Sequence, residues 1–212
     1  MNRLPVIVRQ HIAAFRALLV FTVLCGLIYP AVMVGVSQLA FHNQANGSTV
    51  SYNGRVVGSS LLCQEFADAK GNPLPQYFQP RPSAAVSGAK NDYGCNPLFS
   101  AATNLGPSNP KEIAAIQAQQ KAIAAFDHVP VSQIPADAVT ASGSGLDPGI
   151  SPQNAAIQVN RVAAARHLPV SEVQALVARY TQGRTLGFLD EPAVNVLELN
   201  IALDRLSAKS GS

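Results

Sequence analysis

The 212 residues are 48% apolar and 13% charged, with Gly and Pro at 15 each. This composition excludes a disordered or collagen-like chain, and a charged share about half the usual ~25% suggests that some apolar residues face lipid rather than a core. The formal net charge of +3 is matched by Arg3, Arg9 and Arg16, all ahead of the first acidic residue. The remainder is neutral and gives no electrostatic reason to expect nucleic acid.

The stretch Ala17 to Phe41 holds no charged residue, and none follows before Arg55. As a helix rising about 1.5 Å per residue it exceeds the ~30 Å hydrocarbon core, which predicts one transmembrane helix over 17–41. The run is longer than the roughly 7–15 residues of a signal-peptide core, and only Gly35-Val36-Ser37 offers a small-x-small cleavage site, so an uncleaved anchor is the better reading. Three Arg before the span and no Lys or Arg until Arg55 place residues 1–16 in the cytoplasm and residues 42–212 outside, by the positive-inside rule. Within the span, Thr22, Gly26, Tyr29 and Met33 recur at i, i+4, i+7 and i+11 and form one face where a partner helix can approach. The bland alternative is ordinary membrane-helix composition, with Tyr29-Pro30 marking a kink.

Beyond the span the pattern is α+β. Asn53-Gly54 between alternating residues over 50–57 predicts a β-hairpin with a type I′ turn. Residues 72–110 are rich in Pro, Gly, Ser and Asn and read as an irregular surface loop. Ser108-Asn109-Pro110-Lys111-Glu112 writes a helix start, with the helix running to about Phe126. Ser151-Pro152 opens a second helix to about His167, and Val170-Ser171-Glu172 a third to about Tyr180, with Gly183 as its stop. For 193–201, Val194, Val196 and Ile201 suit a strand while Val194, Leu197 and Ile201 suit a helix; the β-branched residues favour strand.

Tests for chemistry are mostly negative. No Lys follows a Gly, no Glu follows a His, and no Cys pair has a two-residue spacing, so phosphate-loop, zincin and zinc-finger patterns are absent. Gly-x-Ser-x-Gly around Ser144 fails at Ser142 and Leu146; the alternative function, a membrane-anchored extracytoplasmic serine hydrolase, would use Ser144 with His128 and Asp147. Cys25 lies in the span, whereas Cys63 and Cys95 fall in the part assigned outside. Two readings stay open for that pair: a disulfide contributing roughly 3–4 kcal/mol by loop entropy, or two buried thiols.

Several blocks run nearly end to end: Tyr29-Pro30, Gln44-Ala45-Asn46-Gly47-Ser48, Gly58 to Leu62, Arg81-Pro82-Ser83-Ala84, Thr103 to Pro110, Asp137 to Pro148, Gln158 to Ala163, Gly183 to Gly187 and Glu191 to Asn200. With them the chain resembles the C subunits of the Kdp potassium-transporting ATPases. It departs from that pattern at Gly149 and Gln79-Pro80, and the Cys63/Cys95 pair is not a hallmark of it. The resemblance implies a non-catalytic accessory subunit of an ATP-driven potassium importer in the bacterial inner membrane. The implied partners are a potassium-translocating subunit, a P-type ATP-hydrolysing subunit and a small single-span subunit. The absent Asp-Lys-Thr-Gly-Thr phosphorylation motif agrees with a non-catalytic role. It further implies a catalytic chaperone that raises the ATP affinity of the hydrolysing subunit. The chain itself carries no cofactor motif: ATP is reached through the complex, and potassium is the transported ion. The topology leaves only about sixteen residues beside cytoplasmic ATP, which favours assembly, stabilisation or gating near the outer potassium entrance. The polar loop members of the matched blocks, Asn104, Ser108, Asn109, Ser142, Ser144, Asp147, Arg161 and Arg184, are the candidate partner-binding residues; the alternative is that they cap helices and close turns.

Overall fold

A computed structural model describes residues 5–210, with side chains through residue 207; Arg3 lies outside the described residues. The chain is mixed helix and sheet and divides into two compact units, residues 1–48 and 49–212.

The first unit is dominated by one helix, Val6–Ala40, long and apolar enough to cross a membrane, with none of its most apolar window buried. It comprises α1 (Val6–Val23), a π-helical turn (Leu24–Ile28) and α2 (Tyr29–Ala40). The helix starts eleven residues ahead of the predicted span at Ala17, because Arg9 and Arg16 end the apolar run without ending helix propensity. The π turn has a local cause. Pro30 has no N–H to donate to the preceding turn, and the Tyr29 N–H reaches back five residues to the Leu24 carbonyl. Phe41 (φ −134°) leaves the helical region, and a single turn, α3 (His42–Ala45), follows. Asn46 closes it, its Nδ2 donating to the His42 carbonyl (2.6 Å) and to Gln38 Oε1 (3.1 Å).

The second unit opens with the hairpin β1 (Thr49–Tyr52) and β2 (Arg55–Ser59), antiparallel with Tyr52 opposite Arg55. Asn53 (φ 50°) and Gly54 (φ 76°) are both left-handed, as a type I′ turn demands. After a long irregular stretch come α4 (Pro110–Asp127), the short α5 (Ala136–Val139), β3 (Gly149–Ile150), α6 (Pro152–Arg166), α7 (Val170–Tyr180), β4 (Thr181–Gln182), β5 (Ala193–Asn195) and α8 (Val196–Ser210). The strands form an antiparallel sheet in the order β3-β5-β4, with Ile150 and Thr181 on either side of Val194. Phe78, Val159, Val162, Val173, Val194, Leu199 and Leu203 make a core between this sheet and α6, α7 and α8.

Helix starts follow the sequence. Asn109 Oδ1 accepts the Lys111 N–H (2.9 Å) ahead of α4, and Ser151 Oγ accepts the Asn154 N–H (3.0 Å) ahead of α6. His128 and His167, both at φ 56°, close α4 and α6 in the left-handed conformation. Two expectations fail. Gly183 does not stop α7, since Thr181 already turns extended to enter β4. The tail is strand only over Ala193–Asn195 and then becomes α8, because Asn195 Oδ1 accepts the Glu198 N–H (3.1 Å) and starts a helix there.

The Pro-rich stretch is irregular as expected, but it is not confined to the surface: Phe78 and Ala85 are fully buried. Buried backbone without ladder partners is costly, and here side chains take the ladder's place. Asn200 accepts the Phe78 N–H and donates to the Phe78 carbonyl, both at 2.9 Å. Gln158 does the same for Gln79, at 2.7 and 3.2 Å. Cys63 and Cys95 are joined in a disulfide with Cα atoms 5.4 Å apart, which resolves the two open readings in favour of the bridge.

Candidate functional site

The candidate residues separate into three groups. Thr22, Gly26, Tyr29 and Met33 are all exposed on the long helix, and a Cβ on Gly26 would meet nothing within 4 Å. The π turn between Leu24 and Ile28 adds roughly one residue to a turn, so Tyr29 and Met33 are rotated by about 100° from the stripe that regular spacing assigns them.

Arg161, Asp147, Ser142 and Ser144 are tied into the second unit itself. Arg161 lies inside it. Its Nε donates to Asp127 Oδ1 at 2.6 Å, Nη1 donates to the carbonyls of Pro75 (2.6 Å) and Tyr77 (2.8 Å), and Nη2 to Gln158 Oε1 (2.7 Å). Its guanidinium also stacks over the Phe126 ring. Burial lowers the Arg161 pKa and raises that of Asp127, each opposed by the other's hydrogen bond and charge. Arg161 as placed holds this unit's own loop at Pro75 and Tyr77.

Asp147 accepts Arg81 Nη1 (2.9 Å) and the Gly149 N–H (2.9 Å). Its loop also receives the long irregular stretch: the Gly145 carbonyl accepts Ser83 Oγ (2.6 Å), the Leu146 carbonyl accepts the Cys63 N–H (3.0 Å), and the Ser144 carbonyl accepts the Ala101 N–H (3.0 Å). Gly145 (φ 70°) has no room for a side chain, since a Cβ would stand 2.5 Å from the Ala101 carbonyl oxygen. Ser142 is buried, and Ser144 Oγ accepts the Leu146 N–H (3.0 Å). Among the described residues, no hydrogen bond links Ser144 to a histidine, and the Asp147 carboxylate is held by Arg81.

The third group faces outward. Asn104 (φ 54°) and Ser108 lie on the exposed run 103–108, where Asn104 Nδ2 donates to the Ala102 carbonyl (3.2 Å); Asn109 caps α4. Arg184 stands at the base of a second exposed turn, its Nη2 bonding both Glu191 carboxylate oxygens (2.7 and 2.6 Å). Thr185 Oγ1 donates to Asp190 Oδ2 (3.0 Å) inside it. Leu186 (φ 55°) and Gly187 (φ 83°) form the tip. This braced turn leaves Leu186, Phe188 and Leu189 exposed at 79%, 70% and 46%. Sequence reasoning marked Arg184 and missed these three; an apolar trio between Gly183 and Asp190, in a segment otherwise made of turn residues, was the available signal. Among the described residues, no group of three His, Cys, Asp or Glu side chains is placed to hold a metal ion.

The comparisons agree across the chain. A family model described as KdpC, the c chain of K+-transporting ATPase, matches residues 11–205. The chain is similar to the potassium-transporting ATPase KdpC subunit of Mycobacterium tuberculosis H37Rv, at 46% identity over 199 residues, 93% of this chain and 99% of that protein. It is likewise similar to the KdpC subunits of Methylococcus capsulatus (47% over 193 residues, 91% and 96%) and Paraburkholderia phymatum (50% over 186 residues, 87% and 91%). A match of this extent covers both structural units, and the chain belongs to the KdpC family, the c chains of K+-transporting ATPases.

Proposed function

We propose that this chain is the non-catalytic accessory subunit of a bacterial inner-membrane potassium importer. It is anchored by its long helix with the N-terminus inside, and residues 49–212 dock on the outer face of the potassium-translocating subunit. The carrying observation is the braced turn 184–191, which exposes three large apolar residues within four positions, Leu186, Phe188 and Leu189. An apolar cluster held outward by an ion pair and a hydrogen bond suits a partner surface better than water. Asn104 and Ser108, on the other exposed run, belong to the same docking role. The long helix contributes a lateral contact with the small single-span subunit or its neighbours through Thr22 and Gly26.

In this arrangement ATP is not touched by residues 49–212. A chaperone effect on the ATP-hydrolysing subunit is indirect: docking stabilises the assembled state in which that subunit binds ATP more tightly. Protease access tests the orientation on which this depends. Cleavage of the second unit in sealed spheroplasts and protection in inverted vesicles is the expected result. Cleavage from the cytoplasmic side alone overturns it and puts the unit beside ATP instead.

A further inference from the structure

The bridge between Cys63 and Cys95 lies where three irregular segments meet. The Cys63 N–H donates to the Leu146 carbonyl (3.0 Å), the Cys95 N–H to Ser83 Oγ (2.8 Å) and the Asn96 N–H to the Ala85 carbonyl (3.0 Å). Ser83 Oγ in turn donates to the Gly145 carbonyl (2.6 Å), which ties the three segments into one junction. Between β2 and α4 no strand or helix intervenes among the described residues, so this stretch depends on side-chain bonds, turns and the one covalent link. The bridge has a sequence separation of 32 and closes a loop that contains Phe78, fully buried in the core.

Burial sets the order of events. The two cysteines are 7% and 5% exposed, and the junction is tight beside them, since a Cβ on Gly94 would stand 2.7 Å from Glu65 Oε1 and 3.0 Å from Ser83 Cβ. Thiol–disulfide exchange depends on access to the sulfur attacked. A loop that seated first would enclose two thiols out of an oxidant's reach. In the unseated chain both are accessible, and closing the loop there removes conformational freedom that seating must otherwise overcome.

We infer that this subunit is the substrate of a dithiol oxidase of the outer compartment, that oxidation precedes seating of residues 64–94, and that recovery of the importer depends on it. The inference rests on the proposed outside placement of residues 49–212, because that compartment in bacteria is kept oxidising by dithiol proteins rather than by a small-molecule buffer. One cysteine thiolate attacks the oxidase disulfide and displaces one of its sulfurs, forming a mixed disulfide. The second cysteine thiolate attacks the chain's own sulfur in that bond and expels the oxidase's other sulfur. The chain loses two electrons and two protons, and the oxidase leaves as a dithiol. Cys25 belongs to the membrane helix and keeps its thiol.

Pulse-labelling of the tagged full chain with its partner subunits, followed by alkylation with a polymer-bearing maleimide, tests this. Two of the three cysteines should become unreactive before the second unit acquires protease resistance. Dithiothreitol during synthesis should leave all three reactive and lower recovery of the complex about fivefold or more, whereas dithiothreitol added after assembly should leave the bridge intact. A chain with Cys63→Ser and Cys95→Ser should show the low recovery with and without reductant, which separates the bridge from effects on other proteins. A host lacking its outer dithiol oxidase should reproduce the result of early reductant. Protease resistance with all three thiols reactive, full recovery of the doubly substituted chain, or unchanged oxidation in the oxidase-deficient host would each overturn the inference. Protease access in the same cells assigns the failure: three reactive thiols with cleavage from outside refute the oxidation step alone, while three reactive thiols with cleavage from the cytoplasmic side refute the outside placement and this step with it.

Discussion

Replacing Arg161 by Met keeps most of the stem volume and removes the charge. Arg161 and Asp127 are 5% and 4% exposed, and their contact is 2.6 Å. In R161M a buried carboxylate loses its counter-charge, and the carbonyls of Pro75 and Tyr77 lose a donor. Breaking one side of a buried pair costs about 3–5 kcal/mol, because the remaining ion is stranded away from water. For a unit of this size each kcal/mol shifts the melting temperature by roughly 2–4 °C, so a fall on the order of 10 °C is expected. The pH dependence has a definite sign. Burial already raises the Asp127 pKa and Arg161 opposes that, so in R161M the folded-state value rises further above the unfolded one. Such a group contributes stability that is full below the unfolded value and lost as pH rises through the folded value. The gap between native chain and R161M should therefore be widest near neutral pH and narrow as pH falls toward 4. Pulse proteolysis of the full chain in detergent across that range measures it. A loss under about 1 kcal/mol at pH 7, or a gap independent of pH, would refute the reasoning. Adding Asp127→Leu to R161M should recover part of the loss, since a hydrophobic pair leaves no stranded charge.

The remaining expectations concern the loop and the outward turn. Cys63→Ser with Cys95→Ser should lower stability by up to about 3–4 kcal/mol, read as a shift in the denaturant midpoint, and dithiothreitol should destabilise the native chain but not the variant. Asn200→Leu strands the buried Phe78 N–H and carbonyl together, for a loss of about 2–4 kcal/mol in the same assay; an unchanged midpoint would mean that the amide does not hold the loop. Phe188→Asp should leave the midpoint within about 0.5 kcal/mol, because the ring is exposed, while reducing recovery of the transport complex on a tagged copy of this chain. Full recovery with Phe188→Asp would remove the turn from the interface.

Local chemistry was legible in the sequence wherever one residue and its near neighbours decide the structure. The Asn53-Gly54 turn, the caps at Asn109 and Ser151 and the helices they open are of that kind, each closed by bonds spanning a few residues. The same type of signal was present at Asn195-Val196-Leu197-Glu198, where a capping pattern outweighed the strand preference of Val194 and Val196. Long-range pairing was not legible. Arg161 lies in a matched polar block and reads as a surface residue, yet its partner Asp127 is 34 residues away and the loop carbonyls it holds are more than 80 away. Nor does hydropathy show that a Pro-rich stretch enters a core, because that depends on the amides of Asn200 and Gln158 arriving from α8 and α6.

These long-range contacts bear on how the matched blocks should be read. A polar residue recurring in a subunit family is easily taken for a contact with another subunit, but Arg161, Asp147 and Ser142 are used inside the second unit, where they hold an irregular stretch against helices and a turn. The run 103–108 and the turn 184–191, in the same blocks, face outward instead, and the turn exposes Leu186, Phe188 and Leu189. Loss of assembly in an Arg161 or Asp147 variant is thus expected to follow loss of folding, whereas loss in a Phe188 variant should occur with the fold intact. Stability measured alongside assembly distinguishes the two, and that is why neither residue class can be assigned to an interface from assembly data alone.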